Sequence, residues 1–241
     1  MRNLKVLDLC SGIGGFSIGL EATNGFTTAA FCEIEDYPRK VLSKHWPGLP
    51  IYKDIRDVTR ERLIADGIRP DVITAGIPCQ PHSFSGDREG GEDERDLWGE
   101  YFRTVSENRP RWAILENVRG FLSSEDGRYF AGALRDLASI GYNAEWNDLP
   151  AGAFGAEHLR SRMWLVAYPN ETQLQGRSLS SRIQQEYSNT SYSRRGKDKP
   201  GVVRTLNGIP SQMDRLGCLG NAVYPPIPEL IGRAILEAEN E

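Results

Sequence analysis

Short apolar runs alternate with longer amphipathic segments along the first two thirds of the chain. Six runs rich in β-branched and aromatic residues predict strands at residues 5–9, 28–33, 71–75, 112–116, 143–148 and 162–167. Five amphipathic segments predict helices at residues 17–22, 37–45, 60–66, 97–107 and 128–140. Alternating strands and helices are typical of a doubly wound, mostly parallel α/β sheet, in which ligands bind beyond the carboxyl ends of the strands.

The pattern changes after Tyr168, where Ser, Gln, Asn, Thr, Arg and Tyr predominate and few apolar residues remain to be buried. Residues 169–216 are therefore predicted to form a small lobe or a long functional loop. Order returns near Leu216, with a turn and an amphipathic helix over residues 227–237. The expected division is a main domain of residues 1–168, completed by 217–241, with a small region between them.

The composition fits a single substantial core, since 39% of the 241 residues are hydrophobic. The first residues do not show a charged and then apolar leader, and no apolar run is long enough to cross a bilayer. We therefore expect a soluble, cytoplasmic protein that is not associated with a membrane. The four cysteines lie far apart, in neither a zinc nor a disulfide pattern, and the three histidines give no metal-ligand spacing. No metal is expected.

The charge is distributed unevenly, although the formal net charge is only −4. Residues 169–204 contain seven Arg or Lys residues and three acidic residues, whereas the rest of the chain is acidic. A solvated loop and a surface that contacts nucleic acid are both consistent with this composition.

The segment VLDLCSGIGGF places an apolar strand directly before Gly12, Gly14 and Gly15. Such a turn brings the backbone close to a flat or charged ligand, but the third small residue of a dinucleotide fingerprint is replaced by Ser17. At the ends of later apolar runs, Glu33 could accept hydrogen bonds from ribose hydroxyls and Asp54 from an adenine amino group. Taken alone, each acid is better explained as a surface carboxylate or a helix cap, but together, in this order and at strand ends, they favour an adenosine-containing cofactor.

The segment DVITAGIPCQPHSFSG ends an apolar strand at a glycine and presents Cys79 in a loop between Pro78 and Pro81. Prolines fix the backbone around the thiol, which suits a nucleophile that must be aimed. Cys79 is therefore the candidate nucleophile.

These segments resemble, in order, the motifs of the DNA (cytosine-5)-methyltransferase family. Further matches are GGEDERDLWGEYFR, ENVRGF, AFGAEHLRSRMWLVA and GNAVYPPIPELIGRAI, so that the resemblance extends over nearly everything except residues 169–205. It implies a Rossmann-like methyltransferase fold, S-adenosylmethionine as cofactor, and methyl transfer to carbon 5 of a flipped cytosine in duplex DNA.

The resemblance also implies roles for individual residues. Cys79 would add to the base, Glu116 would hold or protonate its ring nitrogen 3, Arg160 would bind the base carbonyl and steady Glu116, and Arg162 would support the loop or bind a phosphate. The cofactor pocket would comprise Asp8, Cys10, Ser11, Gly12, Gly14, Gly15, Glu33, Ile34, Asp54, Ile55, Pro78, Leu97, Asn221 and Val223. DNA contacts would come from Gln80, Ser83, Ser85 and, in the basic region, from Arg177, Arg182, Arg194, Arg195, Lys197 and Lys199.

Departures from the family pattern qualify the resemblance. Cys10 and Ile34 stand where the family often stacks aromatic rings on adenine, so less stacking is expected. Residues 170–205 are shorter than a usual target-recognition domain and are predicted to read a target of a few base pairs. Two alternatives stay open, namely RNA as substrate and a DNA-binding or dinucleotide-binding protein without this catalysis. The expected partners are duplex DNA and, in a prokaryotic or phage-infected cell, a cognate restriction endonuclease, with the chain itself a monomer.

Overall fold

The computed structural model describes residues 2–78, 97–156, 160–172, 174, 176–189 and 222–240. Within these ranges seven strands form one sheet with the order β3-β2-β1-β4-β5-β7-β6. The strands are β1 (Leu4–Leu9), β2 (Phe26–Cys32), β3 (Ile51–Tyr52), β4 (Val72–Gly76), β5 (Trp112–Val118), β6 (Tyr142–Pro150) and β7 (Ser161–Pro169).

All neighbouring pairs from β3 to β5 are parallel, whereas β7 runs antiparallel between β5 and β6. The strand order reverses between β1 and β4, because the chain builds outward from β1 through β2 to β3 and then returns to the other side. Ligands bind at such a switch point in open α/β sheets. The glycine-rich turn follows β1 and the Pro78 segment follows β4, so both lie at this point.

Helices cover both faces of the sheet. They are α1 (Gly15–Glu21), α2 (Asp36–His45), α3 (Arg60–Ala65), α4 (Trp98–Asn108), α5 (Gly120–Ser123), α6 (Arg128–Ser139), α7 (Leu179–Asn189) and α8 (Pro226–Glu239). The six predicted strands and six predicted helices are confirmed, with ends shifted by a few residues. The elements β3, α5 and α7 were not predicted, since two are too short to show a period and α7 is rich in Ser and Gln.

The core is divided by the sheet into two apolar layers, because successive strand residues point to opposite faces. Leu7 and Leu9 of β1 belong to the layer that also contains residues of α3, α4 and α6. Leu4 and Val6 belong to the layer packed by α1, α7 and α8. The last helix therefore packs on the same apolar layer as the first strand.

Helix α7 lies within the region that was predicted to form a separate lobe or loop. Leu179 and Ile183 are buried in the same apolar layer as α8, and Leu179 N–H and Ser180 N–H each donate to the Glu145 carboxylate of β6 at 2.9 Å. The helix is thus part of the main domain, because its apolar face has partners far along the chain. In the part of the chain that is described, no helix is long and apolar enough to span a bilayer.

Candidate active site

The turn between β1 and α1 closes over the switch point of the sheet. Ser11 N–H donates to the Cys32 carbonyl at 3.1 Å, and the Ser11 hydroxyl donates to the carbonyl of Asp8 at 2.5 Å. Gly12 and Gly14 have φ angles of 53° and 86°, the left-handed region that glycine tolerates. The hydroxyl of Ser11, a predicted cofactor residue, therefore stabilises the turn itself.

The three glycines of this turn have different reasons for lacking a side chain. A Cβ on Gly14 would lie 2.6 Å from the Trp46 ring, and one on Gly15 would lie 2.3 Å from the Val223 carbonyl oxygen. A Cβ on Gly12 would meet no atom of the described residues within 4 Å. Gly14 and Gly15 are thus required by packing within the protein, whereas the space beside Gly12 is open for a ligand.

Glu33 lies directly beneath this open space. Its carboxylate is buried and accepts hydrogen bonds from Gly12 N–H at 2.7 Å and from Glu35 N–H at 2.8 Å. Two backbone donors fix both oxygens and leave further lone pairs to accept from ribose hydroxyls. Next to it, Ile34 is 69% exposed, a large apolar side chain that lacks a covering partner among the described residues and suits the face of an adenine ring.

Asp54 and Ile55, the predicted adenine-facing pair, lie where β3 leads into a short turn. Asp54 accepts a hydrogen bond from Arg56 N–H at 2.9 Å and keeps about a third of its side chain exposed. The side chain of Ile55 is buried in the core beside α4, so it is not available to a ligand. This corrects the prediction for the Ile55 side chain.

The carboxyl group of Asp8 is fully buried below the turn. It accepts hydrogen bonds from the Ser17 hydroxyl at 3.0 Å and the Thr74 hydroxyl at 2.8 Å. Burial raises the pKa of Asp8 to about 7, against the opposing effect of the hydroxyls of Thr74 and Ser17. The side chain therefore joins β1, β4 and α1 and does not face the cofactor space, which contradicts the direct contact predicted for Asp8.

Glu116 is buried near the end of β5 and forms an ion pair with Arg162 of β7, with 3.2 Å between Oε1 and Nε. Burial raises the pKa of Glu116, and the nearby guanidinium groups of Arg162 and then Arg160 oppose this effect. Arg162 therefore steadies Glu116 through a direct ion pair, a role that the resemblance implied for Arg160. Arg160 acts on the same carboxyl group through its charge.

Three strands bring this carboxyl group next to the glycine-rich turn. A Cβ placed on Gly76 would lie 3.7 Å from Glu116 Oε2, 3.5 Å from Val223 Cγ2 and 3.9 Å from the Cys10 carbonyl oxygen. Gly76, Glu116, Val223 and Cys10 therefore surround one point at the carboxyl edge of the sheet. The predicted cofactor residues and the predicted base-binding acid meet there.

The chain reaches the predicted nucleophile from this same point. Ile77 is buried and Pro78 is exposed, and Cys79 follows in the sequence. Leu97 is half-buried just before α4. Several predicted residues lie outside the described residues, namely Cys79, Gln80, Ser83, Ser85, Arg194, Arg195, Lys197, Lys199 and Asn221.

The two described arginines of the basic region behave differently. Arg177 is half exposed, with Nη1 3.5 Å from Glu237 Oε1. Arg182 is completely buried on α7, and its Nη1 lies 3.0 Å from the same Glu237 oxygen. The DNA contact predicted for Arg182 is wrong, because its guanidinium group is enclosed between α7 and α8.

Sequence reasoning missed Ser17 and Thr74, which satisfy Asp8, and Trp46, which covers Gly14. A signal for Thr74 exists in the sequence, since it is the one hydroxyl residue within the apolar run VITAG. Its partner lies on another strand, however, and only the sheet register, which pairs Asp8 with Thr74, identifies it.

Comparison with known proteins adds a family. The model of the C-5 cytosine-specific DNA methylase family matches residues 4–216. The Type II methyltransferase M.NgoMIV of Neisseria gonorrhoeae is 37% identical over 166 residues, which cover 68% of this chain and 52% of the relative. The Type II methyltransferase M.HgiBI of Herpetosiphon aurantiacus is 31% identical over 188 residues, or 77% and 42% of the two chains.

A solved structure is also similar. It is a prophage-encoded protein from E. coli, described as a DNA modification methyltransferase, which matches with a TM-score of 0.61 at 26% identity over 71% of this chain and 48% of that one. The chain thus spans about half the length, 52% and 42%, of these two Type II relatives.

Proposed function

The chain belongs to the C-5 cytosine-specific DNA methylase family, and on this premise we propose that it transfers a methyl group from S-adenosylmethionine to carbon 5 of cytosine in duplex DNA. One observation carries the proposal. The buried carboxyl group of Glu116, paired with Arg162, lies at the same edge point as Gly76, Val223 and the turn after β1. The proposed base-binding acid thus lies beside the turn that borders a cofactor cradle formed by Gly12, Glu33 and Ile34, as transfer between two bound molecules requires.

The residues of the cradle fit S-adenosylmethionine. The open space at Gly12 admits a ligand against the backbone, the fixed carboxylate of Glu33 can accept from two ribose hydroxyls, and exposed Ile34 can cover an adenine face. When bound, this cofactor supplies a methyl group on a positively charged sulfur. Asp54 retains exposure for the adenine amino group, with Asn221 and Leu97 proposed to complete the pocket.

Carbon 5 of cytosine is a weak nucleophile, so the base must first be activated. We assign this step to Cys79, whose thiolate would form a bond to carbon 6 while the ring electrons move toward nitrogen 3 and carbon 5. After methylation, a water molecule takes the carbon 5 proton, and the electron pair left behind expels the thiolate from carbon 6. Nitrogen 3 returns its proton to Glu116, so that Cys79 and Glu116 are both regenerated.

Glu116 supports the addition by holding a proton at nitrogen 3. Burial raises its pKa, which increases the fraction of the carboxyl group that can donate. Arg162 keeps the group oriented through the 3.2 Å ion pair, and Arg160 is proposed to bind the carbonyl oxygen of the base. The target must leave the stack to reach these groups, at a cost of about a few kcal/mol.

We propose that the basic region recognises the target sequence. Arg182 and the rest of the buried face of α7 are excluded from this role. Half-exposed Arg177 remains a candidate, together with Arg194, Arg195, Lys197 and Lys199, while Gln80, Ser83 and Ser85 would contact DNA near the extruded base. Replacing residues 190–205 by those of a relative should change the methylated sequence, and an unchanged target would refute this assignment.

The named relatives are Type II methyltransferases, which supports a cognate restriction endonuclease as partner and a bacterial cytoplasm as the place of action. We propose that the chain acts as a monomer, since one copy contains both the cradle and the base-binding acid. Protection of DNA against a nuclease encoded nearby would test the first of these points.

The decisive experiment uses the whole chain with S-adenosylmethionine and a duplex that contains 5-fluorocytosine at the target. The fluorine cannot leave as a proton does, so the protein should remain attached to DNA through denaturing electrophoresis. Cys79→Ser should give no adduct while still binding S-adenosylmethionine. Transfer to tRNA but not to duplex DNA, or methylation by Cys79→Ser at the parent rate, would overturn the proposal.

A further inference from the structure

The turn that contains Asp54 and Ile55 has little sheet to hold it in place. The strand before it, β3, consists of two residues, which pair with Phe31 and Cys32 of β2, and the Tyr52 carbonyl also accepts from Glu33 N–H at 2.9 Å. Within the turn, Val58 N–H donates to the Ile55 carbonyl at 3.1 Å. A turn that contacts a ligand needs an external anchor when its own strand is this short.

That anchor comes from α4, which lies elsewhere in the sequence. Arg103 donates through Nη2 to the Ile55 carbonyl at 3.0 Å and through Nη1 to the Val58 carbonyl at 3.2 Å. Both ends of the turn are therefore held by one guanidinium group. Its planar shape presents several donors at fixed angles, which a flexible ammonium group cannot reproduce.

Two carboxylates on the same helix fix the orientation of this guanidinium group. Glu100 lies 2.8 Å from Nε and Glu107 lies 3.1 Å from Nη1, one turn before and one turn after Arg103. Glu107 also accepts from Arg60 N–H at 3.2 Å, which connects the cluster to the start of α3. About a quarter of the Arg103 side chain is exposed, so solvent screens these contacts only in part.

We infer that Arg103 is a positioning residue for the cofactor, which holds the adenine-facing turn at Asp54 against α4. The inference rests on the proposed function, because it assigns that turn to the adenine of S-adenosylmethionine. Helix α4 starts directly after Leu97, so the same helix supports the proposed cofactor pocket at its N-terminal end and at Arg103. Among the described residues, the contacts of Arg103 are with Glu100, Glu107, Ile55 and Val58 and not with Glu116, so its effect should be on cofactor affinity.

The test measures cofactor affinity and turnover separately. In Arg103→Met, the KM and the Kd for S-adenosylmethionine should rise about tenfold, as expected when a charge-assisted contact pair is lost. The kcat at saturating cofactor should stay within about twofold of the parent, because the reacting groups are untouched. Adenosine used alone as a probe should lose affinity by a similar factor, since the turn faces the adenine.

Two further variants exclude a merely structural effect. Arg103→Lys keeps the charge and should recover part of the affinity, and it serves for the measurement if Arg103→Met does not fold. Arg233→Met removes an exposed ion pair to Glu229 on α8 and should leave cofactor affinity unchanged. Unchanged affinity in folded Arg103 variants, an equal loss in Arg233→Met, or a loss for S-adenosylmethionine without a loss for adenosine would overturn the inference.

The outcome is separable from that for the proposed function. If the parent chain fails to bind S-adenosylmethionine, the proposed function fails. If the parent binds and the Arg103 variants bind equally well, only the role of Arg103 is refuted.

Discussion

Glu116 and Arg162 lie diagonally across two antiparallel strands, with Arg162 Nε 3.2 Å from Glu116 Oε1. Glu116 pairs with Trp164 in the sheet register, and Arg162 pairs with Val118, so both side chains point to the same face. The cation is placed to hold a buried carboxyl group without removing its ability to carry a proton. Substitution of Glu116 should therefore change the activity, and substitution of Arg162 should change its pH dependence.

Glu116→Gln should abolish most of the activity and spare the cofactor site. Glutamine keeps the shape of the side chain but cannot transfer a proton, so kcat should fall by about 100-fold or more. The Kd for S-adenosylmethionine should remain within about twofold, because Glu33 and the Gly12 turn are unchanged. Single-turnover methylation and cofactor titration measure the two quantities. Near-parent kcat would remove Glu116 from the mechanism.

Arg162→Gln should change the pH profile of the reaction. The charge of Arg162 lowers the pKa of Glu116, so its removal leaves burial unopposed except by Arg160 and the pKa rises further. The protonated form of Glu116 then persists to higher pH, so the alkaline limb of the pH profile of kcat should shift to higher pH. Arg162→Lys retains the charge and should keep that limb close to its original position. A downward shift in Arg162→Gln would contradict the proposed proton on Glu116.

Asp8 predicts a stability that depends on pH. Its pKa is raised from 3.8 to about 7 by burial, so between these values the folded chain holds a proton that the unfolded chain has lost. The free energy of unfolding should therefore fall as the pH rises from 4 to 7, by about 4 kcal/mol from this group, at 1.36 kcal/mol per pKa unit.

Asp8→Asn isolates that contribution, because asparagine does not titrate. Urea unfolding measures the free energy of unfolding of both proteins across this pH range. As the pH rises, the parent should lose stability relative to Asp8→Asn. The amide oxygen of asparagine can accept from one of the hydroxyls of Ser17 and Thr74, and its NH2 group can donate to the oxygen of the other, so the variant should fold. Parallel curves for the two proteins would show that Asp8 titrates normally.

Substitutions at two glycines of the first turn should have different effects, one on stability and the other on cofactor binding. Gly15→Ala places a Cβ against the Val223 carbonyl and should lower the free energy of unfolding by about 3 kcal/mol or more. Gly12→Ala meets open space and adds only backbone strain, about 1 kcal/mol at its positive φ. Its defect should appear as weaker binding of S-adenosylmethionine. Greater destabilisation in Gly12→Ala than in Gly15→Ala would reverse this assignment.

Of the two described arginines of the basic region, Arg182 should affect stability and Arg177 should affect DNA binding. Arg182→Met removes a buried cation from Glu237 and should cost about 2 kcal/mol of stability, allowing for the partial exposure of Glu237. It should leave the salt dependence of DNA binding unchanged. Arg177→Met should lower that slope by about one if Arg177 contacts a phosphate. Measuring affinity at several salt concentrations distinguishes them, and a reduced slope in Arg182→Met would restore its predicted DNA contact.

Much of the fold was predictable because its signals are local. Apolar residues at a spacing of two or of three and four identify strands and helices, and the alternation of these elements indicates an α/β sheet. The first turn, Glu33 and Glu116 could be located for the same reason, since each follows an apolar strand directly in the sequence. Helix α7 could not, because its burial depends on α8 and Glu145 rather than on a strong apolar pattern of its own.

The sequence by itself determined the order of the elements, the glycine turn and the chemistry-bearing residues at the strand ends. Tertiary structure decided which of those side chains remain available. It enclosed Asp8 with Thr74, buried Ile55 beside α4, closed Arg182 between two helices and paired Arg162 with Glu116. Local spacing specifies the direction of a side chain along its own element, whereas burial and ion pairing depend on partners brought together only by the folded sheet.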